Sequence, residues 1–150
     1  MLVNDRADIA LLTGAHGVHL GQDDLSVASA RRILGPDAII GLSSHSIDQA
    51  AAAATEEVDY VAIGPAFATT TKAVSRPPLG VDTIREVCQA VDKPVVAIGG
   101  VDRARARELI EVGVAGVAAI SALRAASSDT QALERTAREW LDSMEGAVRR

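Results

Sequence analysis

The chain has 150 residues, 48% of them hydrophobic, with 20 acidic against 15 basic side chains and a net charge of −5. That makes one domain, 1–150, with material for a real core; it excludes disorder, and no apolar run reaches the length of a membrane span. The acidic balance argues against a nucleic-acid or membrane surface, and the opening MLVNDRADIA lacks a basic region followed by an apolar stretch, so the expectation is a soluble cytoplasmic protein without a signal peptide.

In chain order, Leu2-Val3-Asn4 reads as the tail of a strand, followed by apolar runs at 17–20, 38–42, 60–63, 94–98 and 116–120. These runs are continuous rather than alternating, as in strands of a parallel sheet buried on both faces. Helical segments lie between them. Gly35-Pro36 closes the helix that contains residues 30–34; Ser46-Ile47-Asp48-Gln49 fits a capping box that opens an alanine-rich helix over 50–54; Asp102 caps a helix over 103–112 that ends at Gly113. Small alanines suit a helix packed closely on a sheet. Arg103, Arg105 and Arg107 on the last of these helices read as a solvated face, and the single cysteine, Cys88, as a buried thiol on a helix face. The segments 13–21, 56–64 and 112–120 share a helix-end, turn and strand pattern, a weak internal repeat. Repeated βα units imply either an α/β barrel or a doubly wound sheet.

Polar residues gather at the C-terminal ends of the strands: Asn4-Asp5, Gln22-Asp23-Asp24, Ser43-Ser44-His45, residues 69–72, Gly99-Gly100 and Ser121. A (β/α)8 barrel builds its active site on that rim, often with phosphate held after the last two strands. The last two strands here end in Ile98-Gly99-Gly100 and Ile120-Ser121, where glycine admits a close approach of backbone N–H groups to an anion. Eight βα units need about 200 residues or more. About five and a half are present, so the expected architecture is a (β/α)8 barrel of TIM type that is N-terminally truncated.

The most informative stretch is GPAFATTTKAVSRPPLG, residues 64–80. It follows an apolar strand and sets Thr69, Thr70, Thr71 and Lys72 on a long loop, which reads either as an anion site or as a solvated surface loop. Asp5 and Asp24 lie just beyond strand ends. They suit Mg²⁺, which keeps several waters and binds substrate phosphates, or they cap the helices that follow. His19 and His45 have no metal-ligand spacing and read as hydrogen-bonded core or rim histidines.

Taken together in their order and spacing, Asn4-Asp5-Arg6, the run from Gly17 to Asp24, Gly41-Leu42-Ser43-Ser44-His45, Gly64-Pro65, Thr69-Thr70-Thr71-Lys72, Pro78-Leu79-Gly80, Ile98-Gly99-Gly100-Val101 and Ile120-Ser121-Ala122 cover nearly the whole chain. In these motifs the chain resembles the thiamine phosphate synthase family of (β/α)8 transferases. The resemblance implies Mg²⁺-dependent condensation of hydroxymethylpyrimidine diphosphate with thiazole phosphate, releasing diphosphate and forming thiamine phosphate. By motif, Asp5 and Asp24 would bind the Mg²⁺. Asn4, Ser43 and Lys72 would contact the pyrimidine substrate, with Ser43 and Lys72 as catalytic groups. Thr69 and Thr71, with the backbone of Gly100, Ile120 and Ser121, would hold the thiazole phosphate. The family also carries an earlier strand whose Gln, Arg and Lys side chains grip the diphosphate, and no residues here correspond to it. Two alternatives stand beside this reading. One is a thiazole tautomerase of the same fold, which needs no diphosphate–metal site; the other is an inactive phosphate-binding remnant. Open barrel edges further imply a possible homo-oligomer.

Overall fold

A computed structural model of the chain describes residues 1–69, 76–124 and 129–148. Strands and helices alternate: β1 (Leu2–Asn4), α1 (Ala7–Thr13), β2 (Gly17–Leu20), α2 (Val27–Leu34), β3 (Ile39–Ser44), α3 (Ile47–Ala54), β4 (Tyr60–Ile63), α4 (Gly80–Ala90), β5 (Val95–Ile98), α5 (Arg103–Glu111), β6 (Gly116–Ala118), α6 (Ser121–Arg124) and α7 (Thr130–Val148). Among the described residues six strands form one sheet in the order β1-β2-β3-β4-β5-β6, every pair parallel. Each strand neighbours the one before it, with no point at which the order reverses. A doubly wound sheet requires such a reversal, so of the two architectures open from the sequence this is the barrel-type wall. β1 and β6 end the order, and each pairs with a single strand.

The apolar runs become strands because both faces are covered. Val18, Leu20, Ile40, Val61, Ile63 and Ala97 are buried, and they meet Ala10, Ala30, Ala50, Ala53, Ile84, Val87, Ala106 and Leu109 from the helices. Four of those helical contacts near the N-terminal half are alanines. Their small side chains let the helix axes approach the sheet, while the larger strand residues fill the space. Cys88 sits half-buried on α4, and burial pushes its thiol up. Among the described residues no helix is long and apolar enough to cross a membrane.

Several element ends follow the expected chemistry. Ser26 opens α2 by accepting from the Ser29 amide at 3.3 Å, and Gly35 closes it. Asp102 opens α5 by accepting from the Arg105 amide at 2.9 Å. The Ser46 hydroxyl accepts from the Gln49 amide at 3.2 Å, but the returning Gln49 carbonyl accepts from the amide of His45, one residue earlier than a capping box requires. Other boundaries differ from expectation, most of them by one residue and two strand ends by two. β3 runs on through Ser43 and Ser44, because Ser44 is buried and its hydroxyl donates to the Ala62 carbonyl at 2.8 Å. β6 stops at Ala118, two residues short.

At the N-terminal end of the sheet one side chain ties two loops together. Arg31 donates to the carbonyls of Gly35 (3.3 Å), Pro36 (3.1 Å), Ala38 (2.5 Å) and Glu57 (2.7 Å), and to the Asp59 carboxylate at 3.2 Å. The same Asp59 oxygen accepts from the Ile40 amide at 2.7 Å. The loop entering β3 is thereby fixed to the loop entering β4, which sets the register of the two central strands.

Candidate functional site

At the opposite, C-terminal end of the strands lies a cavity of about 410 Å³. It brings together six of the residues picked out by sequence: Asn4 after β1, Ser43 in β3, Thr69 on the loop after β4, Gly100 after β5, and Ile120 and Ser121 after β6. Sequentially remote strand ends converge here because parallel strands joined by helices all finish on the same side. Lys72 and Thr71, with Thr70, lie outside the described residues.

Ser43 is held from two directions. Its hydroxyl pairs with His19 Nε2 at 2.8 Å, and its carbonyl accepts from the Gln22 amide side chain at 2.6 Å. His19 in turn meets the Tyr60 hydroxyl through Nδ1 at 2.9 Å, and the two rings stack with centroids 5.6 Å apart. Tyr60 has room for this only because residue 41 is glycine; a Cβ there would come within 2.0 Å of the phenol ring. Burial raises the Tyr60 pKa above its ordinary value of 10.0, because it disfavours the phenolate. His19 is thus the hydrogen-bonded core histidine expected of it, with the addition that it orients Ser43. His45 also lines the cavity, which the sequence left as an ordinary rim histidine. Its Nδ1 lies 2.6 Å from the Gly64 carbonyl. A carbonyl only accepts, so that nitrogen carries a proton.

The turn after β5 adds a structural reason to one expectation. Gly99 and Gly100 have φ of 98° and 62°. Cβ atoms there would lie 2.8 Å from Pro65 Cα and 2.4 Å from the Ala68 carbonyl oxygen. The glycines are therefore required first by the protein's own loop, which is laid against the strand end by hydrogen bonds from the Ala66 amide to the Ile98 carbonyl (2.8 Å) and from the Phe67 amide to the Gly99 carbonyl (3.0 Å). A correction concerns α5. Arg105 is not simply solvated: its guanidinium lies 4.7 Å from the centroid of the Phe67 ring and donates to the Gly100 carbonyl at 2.8 Å. The signal missed in the sequence is Phe67, the chain's single phenylalanine, standing on a loop.

Asp5 and Asp24 stand at the ends of neighbouring strands. Asp5 adopts a left-handed backbone (φ 66°) and its amide donates to the His19 carbonyl at 2.8 Å. Helix α1 has Arg6 at its N-cap position, without a side-chain cap, so the helix-capping alternative for Asp5 falls. Asp24 does not cap α2 either; that position belongs to Ser26, and Asp24 instead accepts from the Gly21 amide at 2.7 Å. It lines a separate recess of about 260 Å³ with Gln22 and Gln49. Among the described residues no group of three or more His, Cys, Asp or Glu is placed to hold a metal by itself. The carboxylate oxygens of Asp5 and Asp24 are donors of the hard type that Mg²⁺ takes alongside waters and substrate phosphate.

Comparison with known proteins gives a consistent family. The family model for thiamine monophosphate synthase matches residues 1–123. The chain is 45% identical over 132 residues to the thiamine-phosphate synthase of Chloroflexus aurantiacus, covering 88% of this chain and 61% of that protein. It is 49% identical over 131 residues to the thiamine-phosphate synthase of Chlorobium luteolum, covering 87% and 62%. Among solved structures, thiamine phosphate pyrophosphorylase from Pyrococcus furiosus matches with a TM-score of 0.80 at 35% identity, over 95% of this chain and 68% of that one. The chain therefore spans about three-fifths of the length of these curated relatives.

Proposed function

This chain belongs to the thiamine monophosphate synthase family, and we propose that it carries the family's condensation chemistry on the rim of a (β/α)8 wall, within the single domain 1–150. The substrates on this reading are hydroxymethylpyrimidine diphosphate and thiazole phosphate. The observation that carries it is the one cavity in which Asn4, Ser43, Thr69, Gly100, Ile120 and Ser121 meet.

In this reaction the bond from the pyrimidine methylene carbon to the diphosphate oxygen breaks, and its electron pair leaves with diphosphate. The thiazole nitrogen then gives its lone pair to that carbon, forming the new C–N bond. No net proton transfer is needed, so the protein's task is to neutralise the leaving group and align two partners. Asn4 and Ser43 orient the pyrimidine; the link from Ser43 through His19 to Tyr60 keeps its hydroxyl in one pose. Lys72 adds positive charge toward the diphosphate. Thr69 and Thr71, with backbone donors at Gly100, Ile120 and Ser121, take the thiazole phosphate. A Mg²⁺ held by Asp5 and Asp24 would supply further positive charge to the diphosphate oxygens. The apolar side of the cavity, with Pro65, Ile98 and Val101, keeps water from the developing cation.

The test is to incubate the protein with both substrates and Mg²⁺ and to follow thiamine phosphate and diphosphate chromatographically. The assay is run on the 150-residue chain and on a chimera that adds the portion of a relative that the chain does not span. Product in either form supports the reading. Absence of product in both, from folded protein, sinks it. Conversion of a thiazole tautomer without Mg²⁺ would instead favour the tautomerase, which the family match does not favour.

A further inference from the structure

We propose that Arg105 is a positioning residue for the phosphate end of the cavity, setting which edge of the Gly100–Val101 peptide faces the ligand; this rests on the reading of that end as a phosphate site. Arg105 stands in the first turn of α5. One guanidinium N–H donates to the Gly100 carbonyl at 2.8 Å, the guanidinium carbon lies over the Phe67 ring 4.7 Å from its centroid, and Nε is 3.6 Å from the Asp102 carboxylate. A planar guanidinium offers an edge to one group and a face to another at the same time, and a lysine ammonium cannot do both.

The consequence follows from peptide geometry. In a planar trans peptide the carbonyl and the N–H point to opposite sides. Gly100 and Val101 line the cavity, and Arg105 does not. Drawing the Gly100 carbonyl toward Arg105 therefore turns the Val101 N–H to the other side, where the cavity lies. A glycine pair at positive φ is a turn whose peptides rotate at low cost. Without a fixed partner for the carbonyl, that peptide is free to present an oxygen, and an oxygen repels an anion. Arg105 also presses on Phe67, whose amide is bonded to the Gly99 carbonyl at 3.0 Å, so the loop leading to Thr69 and the turn after β5 are locked as one unit.

The experiment measures binding of inorganic phosphate by calorimetry to wild type, R105A and R105K, with amide hydrogen exchange at Ala66 and Phe67 in the ligand-free proteins. The loss of one charge-assisted hydrogen bond predicts roughly tenfold weaker phosphate binding in R105A, and R105K is expected to restore little of it. Exchange at Ala66 and Phe67 should quicken in both variants. Full recovery by R105K would mean that only the positive charge matters, and it overturns the proposal; so do equal affinities in all three proteins, or a wild type that binds no phosphate. Thiamine phosphate formation reads the catalytic assignment separately: phosphate binding that depends on Arg105, with no product from either the chain or the chimera, leaves the positioning role standing and removes the synthase reading.

Discussion

The two ends of the sheet hold concavities of similar size, about 440 Å³ among the N-terminal ends and about 410 Å³ at the C-terminal rim, but they are built differently. The N-terminal groove is lined by two neighbouring stretches, residues 10–16 and 34–39, which include His16 and Asp37, and beside it Arg31 and Asp59 spend their hydrogen bonds on the chain's own backbone. The rim cavity instead draws on the ends of β1, β3, β4, β5 and β6, which are far apart in sequence. Volume alone does not mark a site; what separates the two is how many strand ends converge on the space. One end holds the strands in register, and the other is where parallel strands can place chemistry without disturbing that register.

The sharpest way to break this contrast is at the metal. Removing Mg²⁺ with a chelator is expected to cut product formation by about a thousandfold, since an uncompensated diphosphate is a poor leaving group. The melting temperature should stay put, because the sheet and helices pack through hydrophobic side chains away from Asp5 and Asp24. Asp5→Asn and Asp24→Asn should each raise the Mg²⁺ concentration needed for half-maximal rate. A fall in melting temperature on chelation would show that the rim also serves stability.

Arg31→Ala probes the other end. Its side chain is 16% exposed and satisfies four carbonyls and one carboxylate. Its removal should cost about 2–4 kcal/mol in chemical denaturation, discounted for the access water has to these loops. Phosphate affinity of the folded variant should match wild type. Ser43→Ala should do the reverse: a kcat/KM lower by about tenfold or somewhat more, with stability changed by less than about 1 kcal/mol. If both variants lost stability and activity alike, the division between the two ends would fail.

Much of this layout was legible in the sequence, and the parts that were not have physical reasons. Continuous apolar runs such as Tyr60–Ile63 announce strands covered on both faces, and Asp102 and Ser46 announce helix starts, because each is a local requirement. Asn4, Ser43, Thr69 and Ser121 were legible as rim residues because strand ends are. Arg105 was not. Its helical neighbours Arg103 and Arg107 suggest a solvated stripe, and only the folding of the 64–69 loop onto β5 brings Phe67 and the Gly100 carbonyl within its reach. The glycines at 99 and 100 were legible, but the reason for them was not, since the atoms that exclude a Cβ come from more than thirty residues earlier in the chain, at Pro65 and Ala68. Local chemistry is written locally, and contacts between loops are not.

The smallest expected effect concerns alkaline pH, and it divides along the same line. Burial raises the pKa of Cys88 from its ordinary 9.0 and that of Tyr60 from its ordinary 10.0. Below those values folded and unfolded chains hold the same protons, so stability is flat. As pH rises past about 9, the unfolded thiol ionises while the folded one does not, and past about 10 the phenol does the same. The unfolded state is favoured in both windows, so stability falls as pH climbs. Both groups are only half-buried, which keeps each slope shallow. Cys88→Ala should flatten the first window and leave product formation unchanged, because Cys88 belongs to the helical layer beside Gly113, away from the rim. Tyr60→Phe should flatten the second window and also slow product formation, by less than Ser43→Ala does, since it frees His19 without removing the hydroxyl that His19 orients. Urea melts at stepped pH, paired with rates at neutral pH, would check both. If Tyr60→Phe left the rate untouched, the link from Tyr60 through His19 to Ser43 would serve packing alone, and the boundary between the two halves of the molecule would have to be drawn above His19 rather than below it.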